Sequence, residues 1–322
     1  MQLDITINKG SGQKPVVIFI HGLGVDKGFW TDPGNSRVLG GSILMKVFAA
    51  RKPRPCSIKP ERKLSVGKLP EKPENLWTDA VKMGFNTVCW TQKRPAGPIG
   101  IAVREFEYIL KYVTEVFPGK PIAIIGHSRG GLVARKLMEK NVPEIKALIT
   151  VATPHKGSSL SRLGNYLAPL APVIKKLLPK DSHSTASELI KRTYDLLENN
   201  ALKELLPDSA FFKTLKDLPR DNVKYLSFGG TVTKLITVYK WKKENDKFYP
   251  KPLLTIPDSL LKILPSGIIP DEITPGKGDF MVTAESAVLP WAQKHYNLPA
   301  NHISIASHKK MKDRTLKLLE EL

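Results

Sequence analysis

Ile124-Ile125-Gly126-His127-Ser128-Arg129-Gly130-Gly131 is the stretch on which the reading of this chain turns. The apolar run Pro121 to Ile125 leads into it, and a helical pattern, Leu132, Val133, Lys136 and Leu137, leaves it. Between them stands Gly-x-Ser-x-Gly, at Gly126, Ser128 and Gly130. At ordinary glycine and serine frequencies chance supplies about 0.1 such matches in a chain of this length. A strand that turns at once into a helix forces the turning residue into a strained backbone. Glycines two positions to either side let neighbouring segments come close. The Ser128 hydroxyl then projects at a helix N-terminus, whose dipole favours developing negative charge. That placement suits a nucleophile.

Outward from this turn, Val16 to Ile20, Phe85 to Trp90, Ala147 to Val151 and Val223 to Phe228 read as buried strands. Val103, Phe106, Leu110, Val113 and Phe117 fall at helical spacing, and Phe117-Pro118-Gly119 stops that helix. Strands alternating with helices predict an α/β chain with a mostly parallel sheet flanked by helices.

Two regions interrupt the rhythm. From about 35 to 73 the chain is proline-rich and basic. It carries Lys46, Arg51, Lys52, Arg54, Lys59, Arg62, Lys63, Lys68 and Lys72 against Glu61 and Glu71. An irregular basic excursion is expected there. From 158 to 221, Leu160, Leu163, Leu167, Leu170, Ile174 and Leu178 step by three or four, with Pro169 and Pro172 breaking the run. A second helix is expected from the capping box Thr185-Ala186-Ser187-Glu188, and a third apolar face begins at Phe211, Phe212 and Leu215. The expected organisation is therefore a core of residues 1–157 and 222–322, with a helical cap or lid inserted at 158–221.

The 322 residues are 41% hydrophobic, and no apolar run nears the roughly 18 residues that span a bilayer. Met1 to Thr6 alternates like a strand and lacks the charged and apolar regions of a signal peptide, so a cytoplasmic or peripheral membrane location is expected. Cys89 lies in an apolar run and reads as a buried thiol, and no Cys/His spacing suits zinc. Fifty Lys and Arg against thirty Asp and Glu give a formal charge of +20. Such a field suits an anionic membrane surface. A lysine-rich surface also serves heat stability. No nucleic-acid module is present, so no nucleic-acid partner is expected.

Phe19-Ile20-His21-Gly22-Leu23-Gly24, then Gly126 to Gly131, then Ala152-Thr153-Pro154-His155-Lys156-Gly157-Ser158 resemble, in that order, the bacterial lipases and carboxylesterases of the α/β-hydrolase superfamily. The resemblance covers the sheet core from about Val16 to His302 and neither insertion. It implies a Ser-acid-His order along the chain and an oxyanion hole made by the backbone N–H groups of Leu23 and Arg129. For the base it favours the Asn301-His302 step beside the last strand. His308 reads as the start of a solvated helix and His295 as an exposed helix residue; both remain alternatives. For the orienting acid it favours Asp279 in Gly276-Lys277-Gly278-Asp279-Phe280-Met281-Val282, with Asp258 and Asp271 as runners-up. Phe280 to Thr283 departs from the family pattern, which puts the shape of that loop in question. His155 is a family-style turn residue with a structural role. Some bacterial lipases bind calcium near the histidine, but no acidic cluster surrounds His302, so neither metal nor cofactor is expected.

These readings predict a serine hydrolase that cleaves carboxylic esters, lipid-like ones with apolar acyl groups, through an acyl-enzyme. A thioesterase or acyltransferase on the same three residues is the alternative. So, from another class, is an idle scaffold that binds membranes or a partner through its basic surface. A cap inserted at the carboxyl edge of the sheet would sit over Ser128 and offer Leu167 and Leu170 to the acyl chain.

Overall fold

The computed structural model describes residues 2–38, 44–67, 75–160, 200–261 and 269–322. Seven strands form the main sheet, in the order β1-β4-β2-β5-β6-β7-β10. They are β1 (Asp4–Asn8), β2 (Val16–Ile20), β4 (Asn86–Thr91), β5 (Ile122–His127), β6 (Ile145–Val151), β7 (Lys224–Gly230) and β10 (Lys294–Leu298). Only β1 runs antiparallel to its neighbour.

The sheet is buried on both faces, and β2 shows how. All five of its residues are inaccessible. Val16, Ile18 and Ile20 pack with Val103 and Phe106 of helix α3 (Ile99–Val116) and Leu132 of helix α4 (Arg129–Met138). Val17 and Phe19 face the other way. They meet Trp30 of helix α1 (Gly28–Thr31), Trp77 of helix α2 (Leu76–Lys82) and Met311 of the C-terminal helix Lys309–Glu320. A period of two thus feeds two cores at once, and the strand reads as an unbroken apolar run.

Of the expected cap, 161–199 lies outside the described residues, and with it Leu167, Leu170 and the Thr185–Glu188 box. Its described return holds two short helices, Asn200–Lys203 and Ala210–Thr214. Asp217 ties it down through a two-pronged bond with the buried Arg135 of α4, at 2.7 and 3.0 Å.

Three expectations need correcting. A third region, 236–256, also interrupts the core. It folds as a hairpin of β8 (Ile236–Glu244) and β9 (Lys247–Ile256) in a separate sheet of order β3-β8-β9. The first strand of that sheet, β3 (Leu64–Ser65), comes from the basic excursion, which is therefore not irregular throughout. Finally, His295 is not an exposed helix residue. It lies in β10, half-buried, with Nδ1 2.8 Å from Ser227 Oγ. An edge strand buries little, so β10 carries no apolar run to announce it.

Candidate active site

The carboxyl ends of β2, β5 and β10, together with a loop between β9 and β10, meet at one point. Ser128 follows β5 with φ 52° and ψ −129°, a backbone that residues other than glycine rarely adopt. The neighbouring glycines make that turn possible. A Cβ on Gly130 would stand 2.5 Å from the Ile20 carbonyl oxygen, and one on Gly126 would stand 2.6 Å from the backbone of Gly131. Strand and helix can approach this closely only without those side chains.

The Ser128 hydroxyl lies 2.9 Å from His302 Nε2, and His302 Nδ1 lies 3.0 Å from Asp279 Oδ2. An ionised carboxylate only accepts, so Nδ1 carries the proton and Nε2 is left to accept from the serine. Asp279 is fully buried. Its other oxygen accepts from the N–H groups of Met281 and Val282 at 3.0 and 2.8 Å. Those bonds fix its rotamer. Phe280, where the sequence leaves the family pattern, takes φ 90° and donates its N–H to Glu272 O at 2.9 Å. The departure therefore bends the loop without moving the carboxylate away. The runners-up lie elsewhere: Asp258 faces Lys234 and Asp271 faces Lys277. His308 caps the C-terminal helix, accepting from Lys310 N.

His127 fixes the base from below. Its Nε2 donates to the His302 carbonyl oxygen at 2.8 Å, and its ring stacks on Phe29 at 4.3 Å. Burial holds its pKa well below the usual histidine range, so it is a neutral strut. His155 is similar. Its Nε2 meets Thr150 Oγ1 at 2.9 Å, and burial, then Arg135, keeps it neutral.

The loop after β2 lies against the serine. A Cβ on Gly22 would stand 3.0 Å from both Ser128 Cβ and His127 Nδ1, so the bare glycine lets this loop lie close against the serine. Arg129 opens α4, where the first N–H groups have no partner within the helix. The loop is held by a buried polar chain absent from the sequence reading. The Arg129 guanidinium donates to the Gly97 carbonyl and to Gln92 Oε1, and Gln92 Nε2 donates to the His21 carbonyl at 3.1 Å. Gln92 N–H also donates to His21 Nε2 at 3.1 Å. The His21 ring proton then sits on Nδ1, facing Gly22 O at 2.9 Å. Burial lowers the His21 pKa to about 4. Nothing about Gln92 marks it in sequence; only the fold brings it here.

Above the serine opens a cavity of about 290 Å³. Leu23 and Val25 line it from the loop after β2, Met45 and Phe48 from the basic excursion, and Leu160 and Leu205 from the two described flanks of the expected cap. Among the described residues that line it there is no Asp, Glu, Lys or Arg.

Known proteins resemble this chain in sequence and in fold. A family model described as serine aminopeptidase, S33, matches residues 97–216. The mature lipase BlEst2 of Bacillus licheniformis superposes with a TM-score of 0.54 at 16% identity, over 98% of this chain and 97% of that one. Its propeptide form gives 0.56, again at 16%, over 98% and 53%. The chain has the α/β-hydrolase fold. GPI inositol-deacylase A of Yarrowia lipolytica (strain CLIB 122 / E 150) is 31% identical over 106 residues, 30% of this chain. This chain spans only 10% of that relative's length. No helix among its described residues is long and apolar enough to cross a membrane.

Proposed function

We propose that this hydrolase cleaves carboxylic esters of apolar acyl groups through an acyl-enzyme on Ser128. The observation that carries the reading is the hydrogen-bonded chain from Ser128 through His302 to buried Asp279, opening into a cavity whose described lining residues carry no charge. In the proposed reaction His302 Nε2 takes the hydroxyl proton as Ser128 Oγ attacks the ester carbonyl. Asp279 stabilises the imidazolium, and the N–H groups of Leu23 and Arg129 receive the oxyanion. Collapse expels the alcohol, which takes the proton from His302. Water, activated by the same base, then releases the acid and frees Ser128.

An aminopeptidase reading, suggested by the description of the matching family model, asks for a carboxylate to hold the substrate's ammonium group. The described cavity wall offers none. Lipids are the substrate class the lining favours, and the names of the lipase and the inositol-deacylase support it. The partner that suits a +20 chain acting on lipids is an anionic membrane surface.

A chain-length series of chromogenic esters tests this. Each methylene buried in the cavity adds up to about 0.8 kcal/mol, so kcat/KM should climb over the first several carbons. Leu205→Ala should flatten the climb while sparing acetate esters, and Ser128→Ala should abolish all turnover. A flat series, or one that favours charged acyl groups, contradicts the reading.

A further inference from the structure

The small sheet that the sequence conceals is rooted at the cavity and leads away from it. At its base Ile236 pairs with Ile256, and Leu235 N–H donates to Ile256 O at 2.9 Å. Ile256 is buried with Leu160, Ile273 and Phe280, while Leu235, Leu160 and Phe280 line the cavity. Asn301, next to His302, donates to the Lys234 carbonyl at 2.8 Å. From that root β8 runs nine residues, roughly 30 Å, to a turn at Asn245, where φ is 53°.

Register decides what this arm displays. Residues paired across an antiparallel ladder share a face, and alternate residues return to it. Lys240 pairs with Lys251, Lys242 with Tyr249 and Glu244 with Lys247, so four lysines and one glutamate stand on one face. Leu64 of β3 pairs with Lys240 on the same face. The excursion borders both edges of the hairpin. Cys56 bridges Phe248 of β9, and Ser65 pairs with Tyr239 of β8. Residues 57–63 must pass from one edge to the other, which brings Lys59, Arg62 and Lys63 beside the arm.

Segments 51–65 and 236–256 together hold eleven Lys and Arg against three Asp and Glu. Lys240, Lys242, Lys243, Lys247 and Lys251 are all exposed. Among the described ion pairs, only Lys251 of this group has an acidic partner, Glu244 at 3.1 Å. Exposed apolar side chains stand among the cations: Ile58 is 84% exposed and Leu253, beside the bulge in β9, is 56% exposed.

We propose that the β3-β8-β9 sheet is a docking surface for anionic lipid bilayers, and that it sets the mouth of the apolar cavity against the bilayer. Cations alone would suit any polyanion. Exposed aliphatic side chains on a basic ladder suit a surface that is charged outside and apolar beneath. Delivery of substrate to the cavity rests on the ester-hydrolase reading; docking itself does not.

The test is co-sedimentation with vesicles of phosphatidylcholine alone and of phosphatidylcholine mixed with phosphatidylglycerol. Wild type should bind the mixed vesicles, release them as salt rises and bind the neutral ones little. Lys240→Gln, Lys242→Gln, Lys247→Gln and Lys251→Gln, combined in one variant, should lower the affinity about a hundredfold. A control of equal charge loss elsewhere, Lys9→Gln, Lys82→Gln, Lys111→Gln and Lys317→Gln, should lower it less than tenfold. Both variants should hydrolyse a soluble short-chain ester at the wild-type rate, which reports folding independently of vesicles. Equal loss in the two variants, no binding of wild type to the mixed vesicles, or displacement of those vesicles by a single-stranded RNA that binds more tightly, overturns the proposal. Vesicle binding without esterase activity would overturn the ester-hydrolase reading and leave the docking surface standing.

Discussion

The two sheets of this molecule are built by opposite rules. In the seven-stranded sheet, β2 and β5 are buried on both faces, so β2 is apolar throughout and β5 is apolar up to the Gly126-His127 step that leads into the turn. In the three-stranded sheet, much of β8 and β9 is exposed, and lysines alternate with aromatic and apolar residues. The first sheet holds atoms in place for chemistry. The second displays charge. Burial dictates sequence in one, and solvent leaves it free in the other.

The sharpest way to break this contrast is at the end of the main sheet. His302→Ala should lower kcat by several powers of ten, because serine and base act as a unit. Asp279→Asn should lower it about 10³- to 10⁴-fold by holding the wrong imidazole tautomer. Steady-state kinetics on a short-chain ester checks both. A near-normal rate in His302→Ala would remove the proposed base.

The next effect is on stability. Gly130→Ala pushes a Cβ to 2.5 Å from the Ile20 carbonyl, and the backbone there cannot yield cheaply. The expected loss is about 3 kcal/mol. Lys243→Ala, on the exposed arm, should change stability by less than about 0.5 kcal/mol. Urea denaturation of the two variants measures the difference directly, and similar losses would erase the distinction between the sheets.

The same contrast explains what was legible in advance. The Gly126–Gly131 turn and the apolar strands follow from steric and burial constraints that act over a few residues, so the fold and Ser128 could be read locally. Asp279 and His302 were singled out through motif resemblance and chain order, since no local rule draws together two residues separated by β10. Gln92, Met45 and Phe48 reach the site only through tertiary packing and left no sign. The β8–β9 hairpin was missed because its lysines obscure the alternation that would mark a strand. His295 was misplaced because an edge strand needs few apolar residues.

A smaller effect follows from the buried histidines of the main sheet. His21 ordinarily titrates near 6.5, but in the folded chain burial lowers its pKa to about 4. Below 6.5 the unfolded chain binds a proton that the folded chain refuses. The stability present above 6.5 is therefore lost as pH falls toward 4. His21 alone accounts for about 2 kcal/mol by pH 5. His127 and His155, lowered for the same reason, act in the same direction. Denaturation midpoints from pH 7 to pH 5 should fall, and His21→Gln should blunt the fall. A midpoint independent of pH over that range would mean that these rings are not held neutral.

The central claim is that Ser128 is a nucleophile activated by His302. A fluorophosphonate reacts covalently with such a serine, and intact-mass and peptide mass spectrometry locate the adduct. One adduct per chain is expected, on Ser128, absent in Ser128→Ala and formed orders of magnitude more slowly in His302→Ala. Labelling at another residue, or labelling of Ser128 at an unchanged rate without His302, would contradict it.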